Sequence, residues 1–141
     1  MDTYTIDLKK DDVLCREGDV ETDLYILLKG QLLVCVRKGT SVIAVATLGE
    51  GEYIGELSFF DNLPRGADIV ALTTCQLVKI PAQDIRTSFP QWITNMGKVL
   101  ATKLRLQDDV IRQKGVKKAK VESIKPLSID EQRYYHKILS K

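Results

Sequence analysis

Residues 53–71 have the sequence YIGELSFFDNLPRGADIVA, which joins a glycine turn, a short helical segment and a proline-containing break. Gly55 permits a tight backbone turn, and residues 56–60 can form one or two helical turns before residues 61–64 end them. The free N–H groups at the start of such a helix favour an anion. Arg65 follows the break, and its planar guanidinium suits phosphate oxygens. The stretch therefore predicts an anion-binding loop.

Glu56 is unexpected in an anion site, because a carboxylate repels phosphate. It fits a ligand that also carries a hydroxyl group in need of an acceptor, such as a ribose 2′-OH. A set of anion donors with one hydroxyl acceptor describes a nucleotide monophosphate. The spacing leaves an alternative open, since Glu56 and Arg65 on either side of a turn can also form a structural ion pair.

Short β-like segments surround this stretch and dominate the first eighty residues. Glycine-rich and proline-containing turns separate them, at residues 18–19, 30, 38–39, 49–51 and 64–66. Eight short strands at this spacing predict a mainly β fold, an antiparallel β-roll or jelly roll. The predicted strands are Tyr4–Leu8, Val13–Arg16, Leu24–Lys29, Gln31–Arg37, Val42–Leu48, Tyr53–Ile54, Ile69–Ala71 and Cys75–Ile80.

The periodicity changes from strand to helix after Pro81. A short helix is predicted over Ala82–Phe89 and a long one over Gln91–Gln113, with Pro90 before it and Gly115 after it. The long helix carries two apolar stripes, and one is enough to cover a face of the roll. The second is available for a partner chain or for the C-terminal tail. The first stripe comprises Ile93, Met96, Leu100, Leu104 and Ile111, and the second comprises Trp92, Val99, Leu106 and Val110.

The C-terminal tail differs in charge from the rest of the chain. Residues 1–113 contain 13 basic and 16 acidic side chains, whereas residues 114–141 contain 8 and 3. We expect a lysine-rich linker over residues 116–126, which Pro126 closes, followed by a short helix that Ser128 and Glu131 cap. The tail is either a solvated end or a contact for an acidic partner.

Composition argues against several classes of function. His136 is the single histidine and lies near the C-terminus, so neither a Ser-His-Asp site nor a zinc site is expected, and we expect no enzyme activity. Cys15, Cys35 and Cys75 are widely spaced in apolar segments, which favours buried thiols in a reducing, cytoplasmic setting. No apolar run approaches the ~18–20 residues that span a bilayer.

The motif G-E-L-S at residues 55–58, followed by P-R-G-A at 64–67, resembles the phosphate-binding cassette of cyclic nucleotide-binding domains. This family includes the catabolite activator protein, the regulatory subunits of cyclic-AMP-dependent kinase and cyclic-nucleotide-gated channels. Tyr25 with Gly30, and the approach from Leu48 through Gly51, also resemble it. About 110 of the 141 residues are covered. The resemblance implies a double-stranded β-roll over residues 4–80, short B and long C helices over 82–113, and a separate tail over 114–141.

The resemblance also implies a role for each residue of the site. Glu56 would accept the ribose 2′-OH, and Arg65 would bind the exocyclic oxygens of the cyclic phosphate. The long helix would cover the base, with Gln107 and Asp108 as base contacts or, alternatively, as part of a solvated helix face. The remaining members of the expected site would form the phosphate cradle and its apolar wall: Ile54, Gly55, Leu57, Ser58, Gly66 and Ala67.

The function expected from the resemblance is a cyclic-nucleotide sensor without cofactor or metal. Ligand binding would move the C-terminal helix, and a protein effector or a homodimer through the 91–113 helix would respond. Cyclic AMP is favoured over cyclic GMP, because Gly66 lacks the threonine hydroxyl associated with guanine preference. Only 28 residues follow Gln113, so no sequence-specific DNA binding is expected. The alternative is a degenerate module that binds no nucleotide and serves in assembly, which Gly66 and the acidic Asp68 favour.

Overall fold

The structure is a computed structural model that describes residues 4–83, 87–114 and 126–140, and within residues 110–114 it describes the backbone alone. The chain divides into two compact units, Met1–Arg105 and Leu106–Lys141. The expected division after residue 113 stays a prediction.

The first unit contains eight strands in two antiparallel four-stranded sheets. Their order is β1-β8-β3-β6 in one sheet and β2-β7-β4-β5 in the other. The predicted β-roll is therefore confirmed, with strand ends that differ from the predicted ones by at most one residue. The strands are β1 Tyr4–Leu8, β2 Val13–Cys15, β3 Leu24–Lys29, β4 Leu32–Lys38, β5 Ser41–Leu48, β6 Tyr53–Ile54, β7 Asp68–Ala71 and β8 Cys75–Ile80.

The core of the roll is built from inward-facing residues of both sheets, with Leu27, Leu32 and Leu77 fully buried. The chain returns through tight turns, and Gly30 shows why one of them needs glycine. Its φ is +98°, and an added Cβ would lie 2.7 Å from the Cys75 sulfur. All three cysteines are buried free thiols, and burial raises the pKa of Cys15 to about 11.

The helices begin with α1 (Glu56–Asp61), which lies between β6 and β7, and α2 (Gln91–Lys114) follows the roll. The short helix predicted over residues 82–89 is only partly described. Ala82 and Gln83 are helical, residues 84–86 lie outside the described residues, and Thr87–Phe89 form a turn instead of helix. In the second unit, α3 (Ile129–Leu139) begins at Ser128, which forms the predicted capping box with Glu131.

The face of α2 that packs in the first unit is made of small residues. Gly97 and Ala101 are buried, whereas Met96, Leu100 and Leu104 are each about half exposed. The expectation that the first apolar stripe covers the roll is therefore wrong for Met96, Leu100 and Leu104, whereas Ile93 is partly buried. Gly97 and Ala101 allow the helix backbone to approach the roll closely, and a stripe of large side chains would hold it away.

Candidate functional site

Gly55 connects β6 to α1 in a left-handed backbone conformation, with φ 85° and ψ 17°. Ile54 immediately before it is buried and pairs with Tyr25 of β3, so the sheet fixes where the turn begins. The carbonyl of Gly55 accepts the first helical hydrogen bond from the Phe59 N–H at 3.0 Å. Asn62, also left-handed at φ 59°, ends the helix. The predicted turn and short helix are both present.

Arg65 is buried beneath this turn, with only 5% of its surface exposed. Its Nη1 donates to the carbonyl of Gly55 at 3.1 Å. Its Nη2 donates to the Asp23 carbonyl at 2.6 Å and to Glu21 Oε2 at 2.9 Å. The backbone is fixed as well, because the Arg65 N–H donates to the Asp19 carbonyl at 2.8 Å. The guanidinium therefore has a rigid position between the cassette and the loop before β3.

One donor of this guanidinium is unsatisfied. Within the part of the chain that the structure describes, Arg65 Nε is the one buried side-chain nitrogen or oxygen without a hydrogen-bond partner. A buried polar group left unpaired costs ~1–3 kcal/mol, and more when it is charged. An unpaired donor of this kind in a native structure is explained by strain, by an ordered water or by a bound anion.

Glycine is required at position 55 because there is no room for a Cβ atom, as well as because φ is positive. A Cβ built there would lie 2.9 Å from Arg65 Cζ, nearer still to Nη1, and 3.0 Å from the Asp23 carbonyl oxygen. A side chain would therefore displace the buried guanidinium.

Glu56 is exposed at the start of α1 and does not pair with Arg65. The ion pair of Arg65 is with Glu21 instead, so the Glu56–Arg65 structural pair left open by the spacing is not formed. The Glu56 carboxylate keeps its acceptor capacity toward the surface. Leu57 beside it is partly buried, and Ser58 is buried with its Oγ accepting from Arg105 at 3.3 Å.

Asp68 forms an ion pair outside the cassette. Both of its carboxylate oxygens accept from Arg37, at 2.7 and 3.0 Å, and Oδ1 also accepts from the Glu17 N–H at 2.9 Å. The hydrogen bonds from Arg37 hold the pKa of Asp68 below its usual value. Asp68, which favoured a module that binds no nucleotide, is therefore neutralised by Arg37 of the neighbouring strand β4.

Arg105 joins α2 to the cassette helix. Its Nε donates to Asp61 Oδ2 at 2.5 Å, and its Nη2 donates to Asp61 Oδ1 at 3.2 Å. The Asp61 side chain is 4% exposed, so Arg105 is the counterion of a buried carboxylate. A second contact between α2 and α1 is apolar. The buried Gly97 of α2 lies directly against the ring of Phe60 in α1.

The remaining predicted site residues fall into two groups. Gly66 is exposed and Ala67 is partly buried, and both directly follow Arg65. Gln107 and Asp108 are exposed residues of α2 and belong to the second unit, Leu106–Lys141. Their role as base contacts stays a prediction.

Sequence reasoning missed four residues that shape this site: Glu21, Asp23, Asp61 and Arg105. The two acids before β3 lie more than 40 positions from Arg65, and no local pattern links them to it. Arg105 carried a weak signal, because it continues the i, i+4 series of Gly97 and Ala101 on the helix face that packs.

The two antiparallel sheets, with a glycine-bounded helical turn over a buried arginine, define a β-roll of the cyclic-nucleotide-binding type. A family model described as "Cyclic nucleotide-binding domain" matches residues 5–90. The chain therefore belongs to that family, as the resemblance of the cassette predicted.

Individual relatives agree with this assignment. Lysophospholipase NTE1 of Chaetomium globosum is 33% identical over 110 residues, which are 74% of this chain and 7% of that protein. The cAMP-bound structure of the EAL enzyme Bd1971 matches with a TM-score of 0.65 at 30% identity, over 78% of this chain and 31% of that chain. Its cGMP-bound form matches with a TM-score of 0.64 at 30% identity, over 72% and 28%. The chain thus spans less than a third of each of these relatives.

The described residues lack the features of two other kinds of site. Among the described residues, no helix combines the length and apolar character needed to cross a bilayer. The same residues contain no group of three or more His, Cys, Asp or Glu side chains that could hold a metal ion.

Proposed function

We propose that this chain binds a cyclic nucleotide monophosphate in the cassette formed by residues 54–58 and 65–67. The observation that carries the proposal is the buried guanidinium of Arg65, whose Nε lacks a partner among the described residues. An exocyclic oxygen of the cyclic phosphate is an acceptor of the right charge for this donor. The exposed Glu56 carboxylate then accepts the ribose 2′-OH, and the backbone of Leu57, Gly66 and Ala67 completes the cradle.

The favoured ligand is cyclic AMP. Gly66 presents no hydroxyl group to a guanine base, and the solved Bd1971 structures include both cAMP-bound and cGMP-bound forms. The base-contacting role of Gln107 and Asp108 stays a prediction. The free thiols are consistent with action in the reducing cytoplasm.

The signal leaves the cassette through α2. Arg105 and Gly97 of this helix contact Asp61 and Phe60 of α1, so a ligand that repositions α1 also changes the preferred position of α2. Ligand shifts this equilibrium only as far as it prefers one helix position. A protein effector, or a second copy bound through the half-exposed apolar residues of the 91–113 helix, detects the change.

Calorimetric titration with cyclic AMP and cyclic GMP tests the binding step. Hydrogen bonds to charged groups contribute ~1.5–3 kcal/mol, so Arg65→Ala should weaken binding roughly ten- to a hundred-fold. Arg37→Ala is the matched control, because Arg37 also forms an ion pair but contacts Asp68 outside the cassette. Circular dichroism of each variant shows that the fold is retained, and Arg65→Lys replaces Arg65→Ala if the alanine variant unfolds.

Two outcomes would oppose the proposal. Equal weakening by Arg65→Ala and Arg37→Ala would remove the cassette from the binding site. Absence of heat with either nucleotide would favour the degenerate module, in which Glu21 serves as the permanent counterion of Arg65.

A further inference from the structure

Arg105 has one guanidinium arm without an assigned partner. Its Nε and Nη2 donate to Asp61 and Ser58, at distances from 2.5 to 3.3 Å. Its Nη1 donates to none of the described residues. The Arg105 side chain is 21% exposed, and its Nε and Nη2 hold the buried carboxylate of Asp61.

The free arm lies beside Gly66, the residue that follows Arg65. A Cβ built at Gly66 would lie 3.3 Å from Arg105 Nη1, which is the nearest heavy atom to that position. A side chain at Gly66 would therefore make a tight contact with this arm. Glycine at this position and arginine at position 105 form a complementary pair, and the N–H donors of Nη1 stand at the edge of the proposed phosphate cradle.

We infer that Arg105 is a second cationic donor to the phosphate of the bound nucleotide. The inference rests on the proposed function, and it adds a ligand contact from α2 to those from the cassette. Asp61 fixes the plane of the guanidinium with two hydrogen bonds, so little conformational freedom is lost when Nη1 binds an anion. A donor supplied by α2 also ties the position of this helix to ligand occupancy.

An ion pair that served only to neutralise Asp61 would not need an arginine whose third donor, Nη1, lies beside Gly66. A lysine ammonium can neutralise one carboxylate, whereas the planar fork of arginine can bind Asp61 on one side and an anion on another. Arg105→Lys therefore separates the two roles. It keeps a positive charge beside Asp61 and removes the arm at Gly66, whereas Arg105→Ala would leave a buried carboxylate unpaired.

The test compares Arg105→Lys with Arg37→Lys. Both variants convert an arginine that binds a buried aspartate through Nε and Nη2, but Arg37 lies away from the cassette. Titration with cyclic AMP should show affinity about ten-fold lower for Arg105→Lys and unchanged for Arg37→Lys. The ³¹P resonance of bound nucleotide should shift in Arg105→Lys alone, a change that a purely structural role would not produce.

Gly66→Ala provides a second perturbation that leaves the Asp61 ion pair in place. The backbone of Gly66 lies outside the left-handed region, so alanine is tolerated, and its Cβ would crowd Nη1. Affinity should fall by a few-fold, and Arg105→Lys should cost less in the Gly66→Ala background than alone. This double-mutant cycle applies even if Arg105→Lys lowers stability.

The outcomes distinguish this inference from the proposed function. Binding that depends on Arg65 but is equal in Arg105→Lys and Arg37→Lys, with additive effects in the cycle, would overturn the role of Arg105 alone. Tighter binding in Arg105→Lys would overturn it too, because Arg105 would then be an obstacle to the ligand. A wild-type protein that binds no cyclic nucleotide would overturn both proposals.

Discussion

Gly97→Ala is expected to loosen the attachment of α2 to the cassette. Gly97 is buried in α2, and a Cβ added there would lie 2.5 Å from Cε1 and 2.6 Å from Cγ of Phe60, nearer still to Cδ1. Non-bonded carbon atoms prefer ~3.5–4.0 Å, so the helix must withdraw or the ring must rotate away. Rotation has a cost of its own, because Phe60 packs edge-on against Phe59 at a centroid distance of 5.1 Å.

Two opposing contributions determine how much Gly97→Ala changes the free energy of unfolding. Replacing glycine by alanine inside a helix stabilises it by ~1 kcal/mol, because alanine loses less backbone entropy. Overpacking a buried contact costs ~1–3 kcal/mol, and intrusion on three ring carbons places this case near the upper end. The net expectation is a loss of about 2 kcal/mol in the free energy of unfolding.

Urea unfolding followed by far-ultraviolet circular dichroism measures this loss. Thr102→Ala is the matched control, because Thr102 is an exposed residue of the same helix and alanine should stabilise it by up to about 0.7 kcal/mol. In a Phe60→Leu background, Gly97→Ala should cost less, since the smaller side chain relieves the crowding. A Gly97→Ala protein as stable as the Thr102→Ala control would refute the close packing on which the expectation rests.

Three further predictions concern the cassette, the roll and the exposed face of α2. Gly55→Ala should abolish cyclic-nucleotide binding in calorimetry, because it combines a φ of +85° with a Cβ that displaces Arg65; binding of wild-type strength would contradict this. Asp68→Asn should lower stability at pH 7, because the carboxylate loses its charge. The difference from wild type should disappear as pH falls through the lowered pKa of Asp68, below 3.8, and urea midpoints that differ equally at pH 7 and pH 3 would contradict it. Val99→Glu should convert a homodimer to a monomer in sedimentation, and a wild-type protein that is already monomeric with and without ligand would contradict the dimer.

The strands of the roll could be predicted from sequence because local signals agree there. Each strand lies between turn residues whose backbone requirement is visible in the sequence, as at Gly30 and Gly55, which both adopt positive φ. β-Branched and aromatic residues fill the segments between them. Where these local signals agree, the predicted strand ends lie within one residue of the observed ends, as for β4 and β5.

The polar contacts of the site could not be predicted in the same way. Glu21 reaches Arg65 across 44 positions, and Arg105 reaches Asp61 across 44 positions. Long-range ion pairs produce no periodic pattern in a single sequence. Several acidic residues were equally plausible as the partners of Arg65 and Arg105. Asp68 shows the same limit, because its residue type suggested repulsion of an anion and its partner Arg37 could not be identified from spacing.

The packing face of α2 was mispredicted for a physical reason. Hydrophobic periodicity finds the face with the most apolar area, which here includes Met96 and Leu100, both about half exposed. Close helix packing instead selects small residues, and Gly97 and Ala101 contribute little to such a pattern. Among the described residues, α1 is the element that packs against the small-residue face.

The contacts that Gly97 and Arg105 of α2 make with α1 are the basis for our proposal that ligand binding and the position of α2 depend on each other. Gly97 and Arg105 are eight residues apart, about two helical turns, and they contact the adjacent residues Phe60 and Asp61. In this proposal, a ligand that favours one position of α1 also favours the matching position of α2, and the coupling between the ligand and a partner of α2 is reciprocal. A partner that binds the exposed face of α2 should therefore change nucleotide affinity by the factor by which nucleotide changes the affinity of the partner. The same titrations on Arg105→Lys should give a smaller factor, and a factor unchanged from wild type would show that the coupling does not pass through this contact.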